Sequence, residues 1–132
     1  MTKINAAILE KLYLEQMDQN SIHQQHRQWL SQLDFYEDEV KIFREELLGV
    51  VQKHPNYFRM VEHVDEYRTI LMRKLEHIDN LRHQIVLHER NLVEHENIAM
   101  SDHNILKTAI ENFVQDFEAM KANFRRFVSH ND

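Results

Sequence analysis

Apolar and aromatic side chains recur in a 4-3 alternation through Ile22, His26, Trp29, Leu33, Tyr36, Val40, Phe43, Leu47 and Val50, with His26 the one polar member. This spacing holds one stripe on one side of a helix for about four heptads, and such a stripe is buried only against another long helix. It predicts a first long helix over 21–53. Ser21, with Gln24 three residues on, has the form of a capping box at its start. Pro55 stops it, because the residue before a proline is pushed out of the helical backbone region.

The pattern resumes in two columns at seven-residue steps, Val64, Leu71, Ile78, Ile85, Leu92, Ala99 and beside them Tyr67, Lys74, Leu81, His88, His95. They predict a second helix over 57–100. Ser101 and Asp102 are good N-cap residues, and the ladder Leu106, Ile110, Phe113, Phe117, Met120, Phe124, Phe127 predicts a third helix over 103–129. Ile4, Ile8 and Leu12 make a shorter stripe. Glu15 and Gln19 would fall on the first seam if that helix ran backward, so a short separate helix over 3–17 is predicted, with a break near Asp18–Ser21. Short connections between long helices force antiparallel neighbours. The expected architecture is all-α: an elongated antiparallel bundle of three long helices with a short N-terminal helix, in a single domain over 1–132. Its periodicity is similar to that of spectrin-like three-helix coiled-coil bundles, a resemblance that implies a fold and no activity.

Composition agrees with this. One glycine (Gly49) and one proline (Pro55) leave little material for hairpin turns, and 132 residues are enough to bury a core without staples. With no cysteine, disulfides, thiolate metal sites and thiol catalysis are all excluded. The net charge of −6 is spread evenly, so no basic face forms for nucleic acid. No stretch approaches a membrane span, and Lys3, Glu10, Lys11 and Glu15 interrupt the N-terminal apolar residues where a signal peptide needs an unbroken core. A cytoplasmic protein that uses neither membrane nor nucleic acid is expected. The ten histidines stand out, since protonating all of them would carry the formal charge from −6 to +4.

Candidate chemistry is sparse. Phosphate loops, dinucleotide fingerprints and nucleophile elbows need several glycines, and Ser21, Ser31, Ser101 and Ser129 occupy caps, a polar face or the terminus. No catalytic residue and no cofactor is assigned, and the chain is expected not to be an enzyme. Helical bundles do build metal sites from inward-facing His and carboxylate residues. The Glu-x-x-His of ferritin-like di-iron proteins is absent, however, and no two histidines are four apart as in hemerythrin. What remains is a layer. Folding the first two helices back at Pro55 brings His26 to within about a turn of His88, with His95 further along the same seam. Folding again at Ser101 brings Asp116 to the level of His88.

His26, His88, His95 and Asp116 are thus the candidate metal ligands, against the plainer reading that a polar seam residue sets helix register. His23, His63, His77, His83, His103 and His130 are expected to be solvated, as is the acidic run Asp34, Glu37, Asp38, Glu39, Glu45 and Glu46. Unequal helix lengths leave Tyr57, Phe58, Met60 and Val61 without a third-helix partner, so these are the candidate interface, with a protein partner or a second copy as occupant. The functional expectation is a non-enzymatic structural or protein–protein interaction module, with a metal-binding bundle as the alternative.

Overall fold

In the computed structural model the chain forms three helices, α1 (Ala6–Lys53), α2 (Phe58–His95) and α3 (Met100–Asn131). The structure describes residues 6–54, 58–95 and 100–131, with side chains over 19–54, 60–94 and 102–131. At 1.5 Å per residue the 48 residues of α1 run about 72 Å. No described helix is long and apolar enough to cross a membrane.

All nine members of the first ladder, Ile22 to Val50, are buried, and so are Val64, Leu71, Ile78, Ile85 and Leu92 of α2 and Leu106 to Phe124 at ladder positions of α3. Each helix presents one apolar stripe, and three such stripes close a common core. Aromatic packing fills it: Tyr36 lies 4.3 Å from Phe117 and Phe43 lies 4.9 Å from Phe124, centroid to centroid. Phe113, Phe117 and Phe124 are wholly removed from solvent, and burying a ring of that size contributes about 2–3 kcal/mol.

The side-chain pairs fix direction and register. Arg82 donates to Asp34 and Glu37 across the antiparallel α1–α2 pair, at 2.8 Å each. Tyr67 packs on Phe124 and Phe127, and His77 on Phe113, across the antiparallel α2–α3 pair. Consequently α1 and α3 run parallel, and the His54 ring nitrogen Nε2 reaches the Asn131 carbonyl oxygen at 2.9 Å where both helices end. The His54 backbone N–H closes α1 on the carbonyls of Val50 and Val51.

Four expectations need correction. The backbone of α1 is continuous through residues 18–21, where the pattern predicts a break. Asp18, Gln19, Asn20 and Ser21 include no Gly or Pro, and a helix-propensity deficit of at most about 0.7 kcal/mol each does not interrupt a long helix. The short helix predicted over 3–17 otherwise falls on residues outside those whose side chains are described. Second, residue 100 does not close α2, because Met100 already belongs to α3; residues 96–99 lie outside the described residues. The α2–α3 pairs accordingly place the fold-back before Met100, and α3 reaches back along α2 as far as its beginning.

That reach gives the third correction. Met60 is buried rather than left uncovered, and Tyr67 is capped by Phe124 and Phe127. Val61 is exposed, while Tyr57 and the Phe58 side chain lie outside the described residues. Fourth, Glu39 leaves the solvated acidic face. It is buried and accepts from Lys121 Nζ of α3 at 2.5 Å. The aromatic and aliphatic residues Phe35 and Ile42, by contrast, are more than half exposed.

Candidate metal centre

At the end of the bundle where α1 is two turns past Gln19 and α2 nears His95, each helix contributes one histidine to a common layer. His26 occupies the first-ladder position between Ile22 and Trp29, His88 belongs to the Leu81 column of α2, and His103 stands one step before Leu106 on the α3 ladder. His26 and His103 are buried to 1% and 4% exposure. His88 meets solvent with part of its ring, but its Nε2 is buried and has no hydrogen-bond partner among the described residues. One ring nitrogen from each of the three lies within 4.8 Å of the others.

The neighbours of these rings decide which nitrogens carry the lone pair. The Nδ1–H of His26 donates to the Glu89 carboxylate, which also takes Nδ1 of His23. With Nδ1 protonated, Nε2 of His26 carries a lone pair directed into the layer, where it meets His88 Nδ1 at 2.8 Å. The Nε2–H of His103 donates to Gln25 Oε1 at 2.6 Å, which leaves the lone pair on Nδ1. A carboxylate or amide that holds the far nitrogen of a histidine is the usual outer support of a metal ligand, and it orients the ring and makes the facing nitrogen more basic.

Electrostatics keep His88 neutral. His88 is pushed down to about 4, first by burial and then by the charges of His26 and His103, against the pull of Asp102 and Glu89. It is therefore uncharged near neutral pH, as a ligating imidazole must be. Burial would raise the Glu89 carboxyl, but the hydrogen bond from His26 and the charges of His26 and His23 more than offset this and hold it below the ordinary carboxylate range. The rings stack as well: Trp29 lies 5.4 Å from His103, and His88 lies 5.5 Å from His103.

Of the candidates named from sequence, the structure brings His26 and His88 into direct contact and leaves out Asp116. Asp116 is exposed on α3 and acts on His77, whose pKa is lowered chiefly by burial and by Lys74 and raised in part by Asp116. The cause is the earlier fold-back, which sets His103, not residue 115, opposite His88. The His95 side chain lies outside the described residues. Sequence reasoning missed His103 by assigning it to solvent, together with the supporting Glu89, Gln25 and His23. One signal was available: three residues before Leu106, His103 continues the α3 ladder by one more step. His63, His77, His83 and His130 are exposed as expected.

Comparison with known proteins gives no match: no family model fits the chain, and no curated protein or solved structure is similar to it at a significant level.

Proposed function

We propose that this protein is a metal-binding helical bundle, in which His26, His88 and His103 hold a divalent transition-metal ion that joins the three helices at one end. The observation that carries the reading is the convergence of three ring nitrogens within 4.8 Å in a buried layer, with outer partners that leave the facing nitrogens of His26 and His103 unprotonated. A tetrahedral ion with metal–nitrogen bonds of about 2.0–2.1 Å needs ligand nitrogens about 3.4 Å apart. The facing nitrogens all lie within 4.8 Å of one another, so small ring rotations suffice. Imidazole donors with no thiolate suit zinc, copper, nickel and cobalt and disfavour magnesium and calcium. The ion's role in this reading is structural, in keeping with a non-enzymatic module.

A second reading rests on the His26–His88 hydrogen bond. A polar layer that closes on itself sets the register of α1 against α2 without any ion. Trp29, the only tryptophan in the chain, separates the two, because its ring is 5.7 Å from His26 and 5.4 Å from His103. On titrating tag-free apoprotein with copper(II) or nickel(II), the metal reading predicts saturable quenching of Trp29 fluorescence that His103→Ala abolishes. Fluorescence unchanged at saturating ion would leave only the register reading.

A further inference from the structure

We infer that the three-histidine centre keeps its fourth coordination position open to a small exogenous monoanion, hydroxide in water and exchangeable for ions such as azide. This rests on the metal reading above. Two observations lead to it, the first of which is a shortage of protein donors. Both oxygens of Glu89 are held by the Nδ1 atoms of His26 and His23, on the side of the His26 ring turned away from Nε2. Gln25 Oε1 is likewise held on the far side of His103. The indole N–H of Trp29 can only donate, and Asp102 is exposed, acts on His88 through its charge and does not belong to the cluster of converging ligand atoms. One turn along each helix the inward positions are Ile22, Trp29, Ile85, Leu92 and Leu106, all buried. No fourth ligand therefore comes from the described residues. Three protein nitrogens with one vacant position is the arrangement that admits water or an anion.

The second observation is the charge balance. A divalent ion held by three neutral imidazoles brings two positive charges into a site walled by apolar side chains; Glu89, hydrogen-bonded through His26, supplies one negative charge, while the charge of the exposed Asp102 is screened by solvent. The remaining positive charge is expensive to bury unless it is paired. A monoanion pairs it, where a neutral water molecule would not. Solvent has a way in, because the His88 ring, which faces the layer, is itself partly exposed.

Cobalt(II) provides the test, since its visible absorption reports the number and kind of ligands. The full chain loaded with cobalt is expected to show bands that shift saturably on adding sodium azide, with one azide per ion. In cobalt-saturated Glu89→Gln the azide affinity should rise severalfold, because the charge left for the anion to pair is larger. Cobalt that binds but gives a spectrum indifferent to azide means that a fourth protein ligand fills the position, and it overturns this inference while the metal reading stands. An azide affinity that falls in Glu89→Gln overturns the charge argument. Failure of cobalt to bind at all overturns the metal reading itself.

Discussion

His26 carries most of the polar organisation of the bundle in one ring. Its Nδ1 faces Glu89, its Nε2 faces His88, and it is almost wholly buried. Replacing it with Leu removes one partner from each of two partly exposed groups, Glu89 and His88, and the loss of such hydrogen bonds costs about 0.5–1.5 kcal/mol. His26→Leu should therefore lower the urea midpoint of the apoprotein by that equivalent, although the seam position itself favours an apolar residue. A midpoint that rises would show that the hydrogen bonds contribute nothing. The depressed His88 gives a pH dependence. The unfolded chain takes up this proton near 6.5 and the folded protein only at about 4, so the contribution is complete above 6.5 and is lost as pH falls toward 4. Urea midpoints of the apoprotein across that interval should decline, and the decline should be shallower in His88→Leu.

At the scale of the helices, each seam was legible in the sequence because a stripe repeating at 3.5 residues has only one way to be buried. The whole first ladder is buried in the structure, His26 included. What was not legible is where α3 folds back along α2. The sequence between Leu92 and Leu106 contains neither Gly nor Pro, so nothing in its composition marks the fold-back. An error of a few residues in the fold-back doubles into a constant offset between the two helices, which is why Asp116 was placed where His103 lies. Burial of Glu39 was hidden for a related reason: only the parallel α1–α3 pairing puts Lys121 beside it.

That pair offers a test of element packing. Lys121→Met leaves the Glu39 carboxylate buried and unpaired, at an expected cost of about 3 kcal/mol. The double change Glu39→Leu with Lys121→Met should recover most of it in thermal or urea unfolding. Phe117→Ala, at a fully buried aromatic, should cost about 3–5 kcal/mol, whereas Phe35→Ser on the exposed face should stay within about 0.5 kcal/mol of the parent.

For the whole molecule, a metal ion at the histidine layer acts as a clasp that all three helices share and that the unfolded chain lacks. An ion present at about 100 times its Kd adds about 2.7 kcal/mol, a rise in Tm on the order of 10 °C for a chain of this length. The central claim is binding at His26, His88 and His103, and its most direct measurement is the zinc stoichiometry of tag-free protein by equilibrium dialysis. One zinc per chain is predicted for the parent and for His83→Ala, whose histidine is exposed and away from the layer, with that zinc lost in His103→Ala. Absence of stoichiometric zinc from the parent, or undiminished binding by His103→Ala, would contradict it.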